Sequence, residues 1–244
     1  MPRAIRDALL RLFHEERCLA CAIPVLPQDR PTPSPALCPA CARLLRRRST
    51  GFCPGCGELA AHEHAEPGLC GDCLRDPPPW RHFLFHGEYA GLLRDLLLQF
   101  KFSTGLAQGR LLSALLAMHP ELPLLEANAI VPIPLHLNRL RERGFNQAQE
   151  LAGPVAAHLG IALHPELLTR RIHTPPQMRF PLDERRLNIR GIFVCPGKIA
   201  PHTRVLLVDD VATTCATLRE AANTLLAAGA ATVDVLVAAR TPQL

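Results

Sequence analysis

Eight cysteines fall in four CxxC pairs within the first third of the chain: Cys18/Cys21, Cys38/Cys41, Cys53/Cys56 and Cys70/Cys73. Two thiolates on one tight turn make half of a tetrahedral zinc site, and a second turn completes it, so four turns close two four-cysteine sites. The turns Cys38-Pro39-Ala40-Cys41 and Cys53-Pro54-Gly55-Cys56 suit that geometry, and successive pairs are separated by 16, 11 and 13 residues, as in zinc ribbons. Pairing in chain order is expected, Cys18/Cys21 with Cys38/Cys41 and Cys53/Cys56 with Cys70/Cys73, with a crossed or nested arrangement as the open alternative. A disulfide framework or a redox dithiol competes with this reading, but a reducing interior keeps thiols free and a redox dithiol does not come four times over. Four protein ligands leave no open position, so both sites are structural. His62 and His64 then read as surface residues.

Only Cys195 and Cys215 follow, and this break in composition marks a boundary. The run Asp76-Pro77-Pro78-Pro79 supplies a stiff connector, which divides the chain into a cysteine module over 1–78 and a larger domain over 79–244. No stretch reaches the roughly 18 to 20 apolar residues of a membrane helix, and charges run through the first 21 residues with no cleavage pattern. A cytoplasmic protein without membrane insertion is therefore expected. Ile5, Ala8, Leu9, Leu12 and Phe13 have the spacing of a short amphipathic helix packed on the protein itself. The net charge of +5 suits a phosphate-bearing ligand or nucleic acid as well as it suits a solvated surface. The low aromatic content, 5%, counts against recognition of single strands by base stacking.

Beyond the connector, apolar strands alternate with helical spacing. Phe83-Leu84-Phe85 with Tyr89 reads as a strand or hairpin, 91–100 and 106–118 as helices, and 129–134 as a short strand. A basic loop and a helix over about 146–158 follow. Val205-Leu206-Leu207-Val208 is a continuous apolar strand, followed by a polar turn, a helix over about 214–228 stopped at Gly229, and a last strand over 232–238. This alternation implies an α/β fold with a parallel sheet, whose ligands bind at the carboxyl ends of the strands.

At one such end stand Asp209 and Asp210, followed by Val211, Ala212, Thr213, Thr214, Cys215, Ala216 and Thr217. Paired carboxylates accept hydrogen bonds from two vicinal ribose hydroxyls, while N–H groups and hydroxyls of a turn opening a helix surround a phosphate. The plainer alternative is a turn begun by Asp209 and Asp210 with Thr213 or Thr214 as helix cap.

This stretch resembles the phosphoribosyl pyrophosphate signature of type I phosphoribosyltransferases. The chain is similar, further, to the ComF family of competence-associated proteins, which look like such transferases fused to an N-terminal zinc ribbon. The residues that carry the resemblance are Val131-Pro132-Ile133-Pro134-Leu135-His136, Arg139-Leu140-Arg141-Glu142-Arg143-Gly144-Phe145-Asn146-Gln147-Ala148, then Thr174, Gln177, Arg185 and Asn188, Gly191-Ile192-Phe193, and the signature itself. The resemblance implies a type I phosphoribosyltransferase-like sheet flanked by helices, with a magnesium complex of phosphoribosyl pyrophosphate as ligand. Asp209, Asp210 and Arg143 would be catalytic, with 209–217, Arg139, Arg143 and Lys101 binding the ligand. Magnesium would take oxygens from the substrate with the acidic pair close by, and catalysis would stabilise the leaving charge and exclude water. Arg141 belongs to the same loop, whose plain alternative is a solvated basic loop or a helix start. Lys101 approaches the acceptor side or simply ends a helix. Residues 170–188, rich in Arg and broken by Pro175, Pro176 and Pro181, read as a mobile lid or a surface loop.

One departure stands out: the family usually has Gly where this chain has Cys215, so a side chain there crowds the phosphate or demands a different backbone dihedral. A redox-sensitive thiol at a helix N-terminus is a further reading of Cys215. The resemblance leaves three functions open. The first is phosphoribosyl transfer to an unidentified acceptor with pyrophosphate release. The second is a non-catalytic accessory role with single-stranded DNA and DNA-uptake proteins in natural transformation, using the zinc ribbons and arginines as contact surface. The third is a sensor that binds phosphoribosyl pyrophosphate and turns nothing over.

Overall fold

The apolar run Val205-Leu206-Leu207-Val208 lies at the centre of the molecule with all four side chains fully buried, as expected of a strand covered on both faces. The computed structural model describes residues 16–25, 35–66, 68–102, 105–171 and 191–242. The helix expected around Ile5 to Phe13, and Thr174, Gln177, Arg185 and Asn188 of the expected lid, lie outside the described residues.

Five parallel strands form the main sheet: β1 Phe83–Glu88, β2 Ala129–Pro132, β3 Ala162–Leu163, β6 Arg204–Ala212 and β7 Thr232–Arg240, in the order β1-β7-β6-β2-β3. Two short strands, β4 Thr169–Arg170 and β5 Phe193–Val194, pair antiparallel beside it. The helices are α1 Pro39–Leu44, α2 Gly71–Arg75, α3 Gly91–Phe102, α4 Leu106–Ala117, α5 Leu137–Arg143, α6 Gln147–Leu159 and α7 Ala216–Ala227. This is the fold of the type I phosphoribosyltransferase-like proteins: a parallel sheet flanked by helices, with two four-cysteine clusters toward the N-terminus.

Helical periodicity places the buried faces. In α3, Leu93, Leu96, Leu97 and Phe100 recur at i, i+3, i+4 and i+7 and are all buried. They pack with Leu151, Ala152 and Val155 of α6, Leu111 and Leu112 of α4, and Leu206 and Val208 of β6. The opposite face of the sheet packs Val205 and Leu207 with Leu218, Ala221, Ala222 and Leu225 of α7. Asn146 accepts from Ala148 N at 3.1 Å to cap α6, and left-handed Gly160 ends it.

The period of two in β1 organises the cysteine-rich segment. Leu84 turns to the face that holds Cys18, Cys38 and Cys41, whereas Phe83 and Phe85 turn to the face that holds Cys53, Cys56 and Cys73. The two cysteine groups thus flank the β1 edge, one on each face, and share the sheet's hydrophobic clusters.

Of the strand and the hairpin left open for Phe83-Leu84-Phe85, the strand forms, at the sheet edge and paired parallel to β7. Two expectations need correction. The strand at Val205 does not stop at Val208 but runs to Ala212, because β7 keeps pairing with it as far as Ala212↔Arg240. The basic loop after β2 contains α5, capped by His136 Nδ1 accepting from Asn138 N at 3.2 Å and ended by left-handed Gly144. Among the described residues, no helix is long and apolar enough to cross a membrane.

Candidate functional site

Register decides where the acidic pair sits. β2 ends at Pro132, opposite Val208, and Ile133 N donates to Val208 O at 2.9 Å, so β6 runs on past its neighbour with Asp209 and Asp210 at the exposed carboxyl edge. Each carboxylate is tied to the backbone that follows it: Asp209 Oδ1 accepts from Asp210 N at 2.8 Å and Asp210 Oδ1 from Val211 N at 2.7 Å. Pleating puts Asp210 on the face of Leu206 and Val208, where α3 packs. There Lys101, in the last turn of α3, brings Nζ to 2.8 Å from Asp210 Oδ2. Desolvation, with repulsion from Asp210, pushes the Asp209 carboxyl up to about 8, against the pull of Lys101 and Arg170.

Arginines converge from two further elements. Arg143, from the last turn of α5, donates to Gln147 Oε1 at 2.9 Å; burial lowers its pKa while the nearby Asp210 opposes the shift. Asn146 Nδ2 donates to Ile133 O at 3.0 Å and so pins the β2–α5 connection. Arg170, at the end of β4, lies in the field of Asp209, and the field of Arg139 reaches both Arg143 and Arg170. A cleft of about 940 Å³ lies on the α3–α6 side of this group, bordered by Phe100, Lys101, Arg139, Arg143 and Phe145, with neither aspartate in its lining. Carboxylates, a lysine and three arginines from α3, α5, β4 and β6 therefore share one edge of the sheet.

The turn after Ala212 leads into α7, where neither Thr213 nor Thr214 serves as the N-cap. Cys215 occupies that position, in the left-handed region at φ 58° and ψ 4°, and makes no side-chain capping bond. Thr214 Oγ1 instead accepts from Ala216 N at 3.5 Å, a long contact with the first N–H of this twelve-residue helix. A left-handed conformation costs a non-glycine residue about 1–2 kcal/mol, which explains why glycine suits the position. The Cys215 side chain does not enter the turn; it is buried toward the cysteine-rich segment, with Sγ donating to Cys56 O at 3.7 Å. Burial pushes its thiol up to about 11, the opposite of what a redox-sensitive thiolate needs.

The cysteines gather as two sets in chain order, Cys18/Cys21/Cys38/Cys41 and Cys53/Cys56/Cys70/Cys73, with the four sulfurs of each within 4.8 Å of one another. Four sulfurs about 2.3 Å from a tetrahedral zinc stand about 3.8 Å apart. The sulfurs of Cys21 and Cys38 are 3.8 Å apart, and those of Cys56 and Cys70 are 3.6 Å apart. Burial and neighbouring thiols push Cys41 and Cys56 up, and Cys73 to about 12; burial also raises Cys18, but backbone N–H donors of Cys38, Cys21 and Ala20 outweigh it and bring it down to about 7. Crowded thiols of this kind fit a divalent cation, which removes the repulsion as the protons leave.

No protein-family model matches the chain. It is 36% identical over 215 residues to the DNA utilization protein YhgH of Salmonella typhimurium, an alignment covering 84% of this chain and 90% of that protein. It is 32% identical to competence protein F of Haemophilus influenzae, across 84% and 90% of the two chains. The chain belongs to the ComF family. Competence protein ComFC of Bacillus subtilis is a more distant relative, 30% identical across 82% of this chain and 81% of the relative.

Within this ComF-family chain, sequence reasoning placed Lys101, Arg139, Arg143, Asp209, Asp210 and the 213–217 turn at one site, and the structure brings these residues to one edge of the sheet. It had Arg170 only as the first residue of the lid or surface loop over 170–188, because nothing in the sequence ties β4 to β6, and it gave no role to Gln147, whose contact with Arg143 is an ordinary i, i+4 pair across the α5–α6 junction. Metal analysis of the purified chain is expected to give two equivalents of zinc; one equivalent or none would contradict the two-site geometry.

Proposed function

We propose that this chain binds phosphoribosyl pyrophosphate as its magnesium complex and transfers phosphoribose to an acceptor, releasing pyrophosphate, in the cytoplasm. The observation that carries the reading is the meeting of Asp209 and Asp210, in the carboxyl-terminal part of β6, with four cationic side chains beside the turn that opens α7. Each part answers one part of the ligand. The carboxylates accept from the ribose hydroxyls, the 213–217 turn donates to the 5′-phosphate, and Lys101, Arg139 and Arg143 meet the pyrophosphate. Magnesium neutralises charge on the leaving pyrophosphate, and the donor set fits, since hard carboxylate and phosphate oxygens are what this ion takes. Arg143, desolvated and held by Gln147, keeps its charge where negative charge accumulates as pyrophosphate departs.

Titration calorimetry with magnesium and phosphoribosyl pyrophosphate tests the reading, with saturable one-to-one binding as the expected result. Ligand uptake uses ionised Asp209, whose carboxyl is held at about 8 without ligand. Binding near neutral pH therefore releases a proton, and affinity rises with pH until that value is passed. Buffers of different ionisation heat will show the released proton. No binding at millimolar ligand would overturn the assignment, and binding without release of pyrophosphate from the ligand in the presence of any base as acceptor would leave a sensor.

The relatives' names favour a second reading, an accessory protein for single-stranded DNA and DNA-uptake proteins in natural transformation, since they are a DNA utilization protein and competence proteins. It predicts DNA binding that weakens steeply with salt and owes nothing to Asp209 or Asp210.

A further inference from the structure

Arg240, the last residue of β7, is completely buried although the proposed chemistry does not use it. A guanidinium removed from water is costly unless its N–H groups find acceptors, and here they find five. Nε donates to Cys56 O at 3.0 Å and Nη2 pairs with Glu58 Oε2. Nη1 donates to Thr241 O at 2.6 Å, to Ala212 O at 3.4 Å and to Thr213 O. One side of this guanidinium therefore grips the turn that carries a cysteine of the second cluster, and the other grips the turn that opens α7.

Two further contacts tie the same elements together. Cys215 leans on the Cys56 carbonyl. Arg219 of α7 donates to Asp76 O and Pro77 O at 2.7 and 3.1 Å and lies over the Trp80 ring, whose Nε1 donates to Gly55 O at 2.7 Å, inside the Cys53/Cys56 turn.

The consequence follows from peptide geometry. In a planar trans peptide the C=O of one residue and the N–H of the next point in opposite directions. The Ala212 carbonyl also accepts from Thr241 N and Oγ1, both at 3.0 Å, and so is held by the end of β7 as well. For the Thr213 carbonyl, Arg240 is the side-chain donor found among the described residues. Drawing that carbonyl toward the cysteine cluster turns the Thr214 N–H the other way, into the turn where the 5′-phosphate is placed.

We propose that Arg240 is a positioning residue for the 5′-phosphate turn, and that through the Cys56 carbonyl it makes the Cys53/Cys56/Cys70/Cys73 site a structural part of the ligand pocket. The inference rests on the phosphoribosyl pyrophosphate reading and deepens it. It predicts selectivity: Arg240 governs the 5′-phosphate end of the ligand and leaves the pyrophosphate end, held by Lys101, Arg139 and Arg143, untouched.

The test uses full-length zinc-loaded protein with two probes, ribose 5-phosphate and magnesium pyrophosphate. Arg240→Lys keeps the charge but loses the forked geometry, and is expected to bind ribose 5-phosphate about tenfold to a hundredfold more weakly, the worth of one or more charge-assisted N–H bonds. Magnesium pyrophosphate should bind it as it binds the parent. Glu58→Gln loosens the anchor from the cysteine side without touching the turn, and serves if Arg240→Lys does not fold. It should weaken ribose 5-phosphate binding in the same selective way, by severalfold.

Linkage adds a readout of the metal itself: saturating ribose 5-phosphate should slow release of zinc to a chromophoric chelator in the parent and much less in Glu58→Gln. If the parent binds neither probe, the pocket reading fails and the inference falls with it. If the parent binds both while the folded variant binds ribose 5-phosphate as tightly as the parent, or loses both probes equally, the positioning role is wrong and the pocket reading stands.

Discussion

Asp209→Asn combined with Asp210→Asn is expected to lower affinity for magnesium phosphoribosyl pyrophosphate by roughly a hundredfold to ten-thousandfold without unfolding the chain. A hydrogen bond to a charged group contributes about 1.5–3 kcal/mol, so two ribose contacts account for about 3–6 kcal/mol, at about 1.4 kcal/mol for each factor of ten. The single variants separate binding from stability. Asp209 has its folded pKa pushed up to about 8, chiefly by desolvation. Its ionisation therefore opposes folding: the penalty is absent well below the ordinary carboxylate range and grows as pH rises toward the folded value. Asp209→Asn removes it, and should raise the thermal midpoint by a few degrees at pH 8 and hardly at all at pH 4. Asp210→Asn strips a mostly buried Lys101 of its carboxylate and should lower the midpoint. A double variant that binds the ligand like the parent would end the phosphoribosyl reading.

Much of the architecture was open to reading because burial leaves a periodic trace. The unbroken apolar run at Val205 could only be a strand covered on both faces, and Leu93, Leu96, Leu97 and Phe100 could only be one stripe of a helix. Where burial is absent, the trace disappears. Helix α5 buries none of its residues, and Leu137 and Leu140 lie exposed, so it carried no apolar period to tell a helix start from a basic loop. The end of β6 was misplaced for a related reason. Asp209 and Asp210 look like a turn by residue type, but they stay in the ladder because β7 beside them is long enough to pair.

The site divides the same way. Its local parts, an acidic pair followed by a hydroxyl-rich turn, are contiguous in the chain and declare themselves. Its convergent parts are not. Arg170 reaches Asp209 from a two-residue strand, and Arg240 meets Cys56 across 184 residues of sequence. Contacts so distant are properties of topology: β7 pairs with β1, and the second cysteine cluster packs against the Phe83 and Phe85 face of β1. The Cys215 substitution illustrates how the two levels interact. Taken alone it threatens the phosphate turn, whereas in the fold its left-handed backbone turns the thiol toward Cys56 and leaves the turn open.

Removing zinc is the second large perturbation, and its expected reach goes beyond the cysteine-rich segment. A structural zinc contributes about 10–16 kcal/mol of apparent binding energy in small zinc-finger peptides, comparable with the whole stability of a typical domain, about 5–15 kcal/mol. Cys18, Cys38 and Cys41 share a cluster with Leu84 and Leu93, and Cys53, Cys56 and Cys73 share another with Trp80, Phe83 and Phe85. Losing the metals therefore uncovers both faces of the β1 edge. Chelation under reducing conditions should release two zinc ions, lower the thermal midpoint by ten degrees or more, and speed amide exchange in β1 as well as in the cysteine turns. Metal affinity should fall as pH falls, because each thiol must lose its proton to bind, and burial and neighbouring thiols hold Cys41, Cys56 and Cys73 above their ordinary value. The two sites should also differ: Cys53→Ser should damage ribose 5-phosphate binding, through Cys56 and Arg240, while Cys21→Ser, at the exposed ligand of the other cluster, should cost stability alone. A metal-free chain that melts with the zinc-loaded one would show that the eight thiols hold nothing the fold depends on.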